Sequence, residues 1–154
     1  MSWSGGCQCG AVRFRVDGDM GEASICHCRM CQKAMGSLFG PFVGARADQL
    51  VWTRGERKRF QSSNKVSRGF CGDCGTPLTF EYGDNHISLA VGALDEPAAV
   101  KFDEQLASSA RVADLAALAA LPMHPEDEPR AAAHLASIVS YQLPDHDTET
   151  WPVR

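Results

Sequence analysis

The chain is predicted to be mostly β, built from short antiparallel strands, with one or two helices towards its C-terminal end. Three observations predict this. From Ala11 to about Leu94, apolar and polar residues alternate in short runs separated by glycines. After Asp95-Glu96-Pro97 the composition turns to alanine and leucine at helical spacing. All seven cysteines lie before Glu81, in three tight groups suited to metal ligation.

The elements can be placed in order. Ala11 to Asp17 alternates strictly, with Val12, Phe14 and Val16 on one face and Arg13, Arg15 and Asp17 on the other. Similar short runs are Gln49 to Thr53, Arg57 to Gln61, Pro77 to Tyr82 and His86 to Val91. Gly55, Gly69, Gly75, Gly83 and Gly92 fall at or near their ends, where turns need them. Beyond Pro97, Val112, Leu115, Leu118 and Leu121 stand three apart and Pro122 follows, so Arg111 to Leu121 reads as one helix packed on the β core. Glu126 to Ser137 offers a second, with Pro129 in its first turn. Pro144 to Arg154 is polar and aperiodic. No repeat or low-complexity linker divides the chain, so residues 5–154 form a single domain, long enough to bury a core without disulfide staples.

Composition narrows the function classes. An apolar fraction of 44% with 22% charged residues is that of a soluble globular protein. No apolar run reaches the roughly 20 residues that cross a bilayer. The first residues carry neither a basic region nor an apolar stretch, so no export signal is expected and the expected address is the cytoplasm. In a reducing compartment clustered cysteines signal metal or redox chemistry rather than disulfides. Up to Phe80 there are 11 Lys/Arg against 6 Asp/Glu, and from Glu81 onward 4 against 13. The cysteines thus lie in the basic part, which tolerates an anionic ligand.

The cysteine groups are Cys7-Gln8-Cys9-Gly10, Cys26-His27-Cys28-Arg29-Met30-Cys31 and Cys71-Gly72-Asp73-Cys74-Gly75. A structural zinc takes four ligands, normally as two pairs from separate turns. The first and third groups supply two pairs, each followed by a glycine that lets the backbone turn its amides towards sulfur. The middle group supplies three thiolates, and three protein ligands leave a position for water or substrate. Seven cysteines divide as four plus three, although spacing alone leaves other partitions open, such as the middle group with one cysteine from elsewhere. His27 is the rival for the fourth position beside Cys26, Cys28 and Cys31. In an extended segment it would face away from its neighbours. His86, His124, His134 and His146 stand alone and read as structural or surface residues.

Taken in order, these segments resemble the glutathione-dependent formaldehyde-activating enzyme family, which also includes centromere protein V. The resemblance rests on Gly6 to Phe14, Cys26 to Lys33 with Gly36-Ser37, Phe70 to Leu78, and Gly92 to Pro97, and runs from residue 6 to about 102. It implies an Mss4-like fold and two Zn2+ ions per chain. Cys7, Cys9, Cys71 and Cys74 would hold the structural ion, and Cys26, Cys28 and Cys31 the catalytic one. It also implies carbon–sulfur lyase chemistry, the reversible joining of formaldehyde to glutathione. Related chains often carry a tryptophan near Ser108 to Asp114. None is present here, which puts the substrate in question.

Physical chemistry favours a thiol as the partner of a three-thiolate zinc. Such a site carries a net charge of −1, is a weak Lewis acid towards water, and takes a soft thiolate readily. The expected reaction is attack by a glutathione-like thiol on a small aldehyde, with Arg29 and Lys33 near enough in sequence to pair with glutathione carboxylates. The alternative is a non-catalytic, zinc-braced binding module, for which the basic turn Arg54-Gly55-Glu56-Arg57-Lys58-Arg59 is the best support. Glu56, the acidic C-terminal part and the lack of an aromatic stacking pattern argue against nucleic acid. A thiol–disulfide oxidoreductase ranks third, because no βαβ context surrounds either CxxC pair.

Overall fold

The computed structural model describes residues 2–123, 125 and 128–152. Two sheets form the body. The smaller contains β1 (Ser2–Gly6), β2 (Arg13–Asp17) and β5 (Leu50–Arg54), in the order β1-β2-β5, all antiparallel. The larger contains β3 (Ala23–Cys26), β4 (Gly40–Arg46), β6 (Lys58–Gln61), β7 (Val66–Phe70), β8 (Pro77–Tyr82), β9 (His86–Ala90) and β10 (Glu104–Leu106). Its order is β10-β3-β4-β9-β8-β7-β6. The chain is therefore mostly β, and its pairing departs from the all-antiparallel expectation only at the edge, where β10 lies parallel to β3. A short helix, α1 (Arg29–Met35), joins β3 to β4. Two more, α2 (Leu115–Ala119) and α3 (Pro129–Ala136), follow the sheets.

Register decides which side of the large sheet does what. Residues directly opposite one another share a face. One set of partners, Ala23 with Val43, Val43 with Leu89 and Ala45 with Ile87, is buried. It packs with Phe14 and Val16 of the small sheet in a single core. The other set runs Cys26 with Gly40, Ser24 with Phe42, Phe80 with Ser88, and Arg68 with Phe80. A period of two thus sends aliphatic side chains inward and sets a cysteine, two phenylalanines and an arginine together on the outer face.

Arg13 breaks the pattern of β2. It lies on the polar face, yet is only 2% exposed. Its Nη1 and Nη2 donate to the two carboxylate oxygens of Asp95 at 2.7 and 2.6 Å, and its Nε donates to Asp147 at 2.8 Å. Burial alone would raise the Asp95 pKa, but Arg13 and the Ser4 hydroxyl hold it below the usual carboxylate value. The contact to Asp147 draws in the segment from Pro144, which shows no period in sequence. That segment is strapped across the β1–β2 turn: Leu143 is buried against Gly10, its N–H donates to Gln8 O at 2.8 Å, and Trp151 Nε1 donates to Cys9 O at 2.7 Å.

The helix expected over Arg111 to Leu121 is a single turn. Asp114 caps it, its Oδ1 accepting from the Ala116 N–H at 3.0 Å, so it begins only at Leu115, and it ends at Ala119, three residues before Pro122. Val112, Leu118 and Leu121 are exposed rather than packed on the core. The second expected helix is present from Pro129, which occupies its first turn; Glu126 and His124 lie outside the described residues. Among the described residues no helix is long and apolar enough to cross a membrane.

Removing one partner of the buried Arg13–Asp95 pair leaves the other charge uncompensated. Arg13→Ala is expected to lower the unfolding free energy by about 3–5 kcal/mol, read from denaturant titration. Because the folded-state pKa of Asp95 lies below its unfolded value, the stability it contributes is present above about pH 4 and fades as pH falls through the folded value. The gap between wild type and Asp95→Asn should therefore close on acidification.

Candidate metal centres and their surroundings

The first and third cysteine groups meet although 62 residues separate Cys9 from Cys71. The sulfurs of Cys7, Cys9, Cys71 and Cys74 all lie within 4.8 Å of one another. Cys7 to Cys9 is 3.6 Å and Cys9 to Cys71 is 3.9 Å. A tetrahedron of zinc–sulfur bonds of about 2.3 Å has sulfur–sulfur edges of about 3.8 Å, whereas a disulfide would need about 2.05 Å. All seven cysteines are free thiols, and this group has the dimensions of a metal site.

The two turns that deliver these sulfurs share one construction. The Cys7 N–H donates to Val12 O at 2.9 Å, and the Cys71 N–H donates to Thr76 O at 3.0 Å, five residues on in each case. Gly10 and Gly75 then take φ of 79° and 77°, a conformation that side chains disfavour. Backbone amides point at sulfur as a result: Val12 N–H to Cys7 Sγ at 3.2 Å and Asp73 N–H to Cys71 Sγ at 3.4 Å. The Gln8 N–H donates to Thr76 Oγ1 at 3.1 Å and ties one turn to the other.

The middle group is assembled differently. Cys26 ends β3, Cys28 is the N-cap of α1, and Cys31 lies in its first turn. Their sulfurs also fall within 4.8 Å of one another, and among the described residues no fourth His, Cys, Asp or Glu joins them. The Cys31 N–H donates to Cys28 Sγ at 3.4 Å. His27 is buried outside this group, its Nε2 at 2.9 Å from Gln105 Oε1 and its ring edge-on to Phe39. Gln32, also buried, donates to His27 O at 2.8 Å and to Ala110 O at 3.1 Å. The segment from Asp103 to Ala110 is thereby pinned along β3 and α1, and Leu106 is set against the cysteines.

Charge around the sulfurs is uneven. Burial pushes the Cys7 thiol up to about 12, and burial does the same to Cys31. Burial opposes ionisation of Cys74 as well, but the Thr76 hydroxyl and nearby amides outweigh it and bring that thiol down to about 6. Without a cation the buried thiols keep their protons, so a metal must displace them and its retention weakens in acid. Arg68 is the cation beside the middle group. It is 7% exposed, lies over the Phe80 ring at 5.0 Å, and donates through Nη2 to Cys31 Sγ at 3.4 Å.

Two cavities adjoin this second site. A small one of about 90 Å3 is lined by Cys26 and Cys31 with Ser24, Ser88, Phe80 and Leu106. A larger one of about 370 Å3 shares the Phe42 wall and includes Arg68. Arg29 and Lys33 are exposed on α1 and line neither cavity; Arg29 donates instead to Gln32. The basic turn is largely occupied: Arg54 donates to Thr148 O, while Arg57 and Arg59 both pair with Glu81. Pairing within the chain weakens the support that this turn gives to a nucleic-acid module. Sequence reading missed Arg68 and the strand at 104–106, because neither belongs to a motif and both reach the cysteines only through sheet register.

The fold and the two clusters define a β-rich protein with two groups of cysteines able to hold metal ions. Residues 2–109 match the family model of the glutathione-dependent formaldehyde-activating enzyme, and the chain belongs to that family. It is similar to an uncharacterized lyase of Schizosaccharomyces pombe, with 30% identity over 80 residues, 52% of this chain. The matched stretch spans only 58% of that relative's length. A crystal structure of a Rhodobacter sphaeroides protein superposes with a TM-score of 0.53 at 23% identity, covering 66% of this chain and 98% of that one, and shows the shared fold.

The two clusters should respond differently to mutation. Replacing Cys7, Cys9, Cys71 or Cys74 with serine is expected to cost folding, because a structural zinc is worth roughly 10–16 kcal/mol. Cys28→Ser is expected to stay folded and lose one metal. Metal content by native mass spectrometry alongside circular dichroism checks both; a Cys28→Ser protein as insoluble as Cys74→Ser contradicts the division.

Proposed function

We propose that the chain is a zinc-dependent carbon–sulfur lyase that reversibly joins a thiol to a small aldehyde at Cys26, Cys28 and Cys31. The observation that carries this reading is the set of three clustered sulfurs on the outer face of the large sheet, with a cavity opening directly against two of them. Membership of the glutathione-dependent formaldehyde-activating enzyme family, and similarity to a yeast protein named as an uncharacterized lyase, support it. Cys26, Cys28 and Cys31 would hold the zinc, which would supply a soft Lewis acid that favours a thiol and its loss of a proton.

The protein's own groups do the remainder. Arg68, buried against Cys31, offsets the net negative charge of three thiolates and so makes room for a further anionic sulfur. Phe42, Phe80 and Leu106 give the small cavity its apolar walls. In the forward direction the thiol loses its proton, its sulfur bonds to the aldehyde carbon, and the carbonyl π pair moves to oxygen, which takes a proton. Ser24 and Ser88 line the same cavity and carry the hydroxyls positioned to hold that proton at oxygen. Cys7, Cys9, Cys71 and Cys74 brace the scaffold and take no part in the chemistry.

With both sites loaded with zinc, the protein should accelerate exchange between a thiol and 13C-labelled formaldehyde, followed by NMR. Cys28→Ser should lower that rate by about 100-fold or more, since several kcal/mol of charge stabilisation leave with the metal. No acceleration by the fully loaded wild type would refute the lyase reading.

A further inference from the structure

The larger cavity runs along α1 from the three-cysteine group towards the turn that carries Cys71 and Cys74, whose flanking Phe70, Gly75 and Pro77 line it. Ala34 and Met35 line it, three and four residues beyond Cys31, so they share the helix face that presents the Cys31 sulfur. Its other walls include Phe42, Phe60, Phe70 and Pro77. Arg68 lines the cavity and also donates to Cys31 Sγ, which places the cavity directly beside the three-cysteine site. Arg68 is its single charged lining residue, and two of that residue's nitrogens are engaged by Cys31 and by the Ser62 hydroxyl at 3.0 Å.

Glutathione is a poor match for these walls. It carries two carboxylates and an ammonium group, and burying any of them without a partner costs several kcal/mol. An apolar group of moderate size is favoured here by the surface it removes from water. We infer that the thiol handled at the three-cysteine site carries an apolar organic group, seated in the cavity beside α1, in place of the charged arms of glutathione. This deepens the lyase reading and rests on thiol binding at that site.

The test uses the full chain loaded with cobalt at both sites, kept anaerobic and followed by its visible spectrum. It is titrated separately with 2-phenylethanethiol, 2-mercaptoethanol and glutathione. The phenyl thiol is expected to bind about tenfold or more tightly than either of the others. Ala34→Phe fills the cavity from the helix surface and should shrink that preference to about threefold or less. Phe60→Ala, at a position already 62% exposed, should weaken the phenyl thiol alone while the fold stays intact. Equal affinities, tighter glutathione, or a preference that survives Ala34→Phe would overturn the assignment and leave thiol binding standing. No spectral change with any thiol would overturn both.

Discussion

Four sulfurs held within 4.8 Å of one another set the terms for the rest of this molecule. As thiolates they repel, and burial holds the Cys7 thiol against ionisation, so a cation at their centre would make the arrangement favourable. The ends they join are far apart in sequence, at positions 7–9 and 71–74. Everything between, including β2 to β7 and the second cysteine group, is a loop closed by that junction. The gain from a structural zinc, roughly 10–16 kcal/mol, matches or exceeds the roughly 5–15 kcal/mol net stability of a whole domain. The Arg13–Asp95 pair and the C-terminal strap act on the same corner, covering the turn that carries Cys7 and Cys9.

With that corner fixed, sheet register does the remaining work. The alternation that buries Val43, Leu89 and Ile87 against the small sheet turns Cys26, Phe42, Phe80 and Arg68 to the other side. Core and candidate site are two faces of one sheet. The proposed function separates bracing from chemistry: four clustered sulfurs where the two turns meet, and three beside a cavity.

The legible parts of the sequence were those governed by local rules. The strands at 13–17, 77–82 and 86–90 followed from alternation, and the four-plus-three grouping of cysteines followed from spacing and reappears in the geometry. The strands at 23–26, 40–46 and 66–70 were not read, because they are rich in glycine, serine or cysteine and show little contrast between faces. Val112, Leu115, Leu118 and Leu121, three apart, suggested a packed helix, but periodicity says only that an apolar stripe could form; the Asp114 cap delays the start to Leu115 and the helix ends at Ala119. Arg68 could not have been singled out: it is one of 15 basic residues, and only pairing with Phe80 brings it to Cys31.

On the proposed function the chain holds two zinc ions of unequal coordination, one closed and one open to a thiol. Zinc K-edge X-ray absorption on protein carrying two zincs, with and without a bound thiol, addresses it directly. The account predicts an average of about 3.5 sulfurs per zinc in the free protein, the mean of a four-sulfur and a three-sulfur site, rising to about four when the thiol is added. An average of four before any thiol is added, or no rise afterwards, would contradict it.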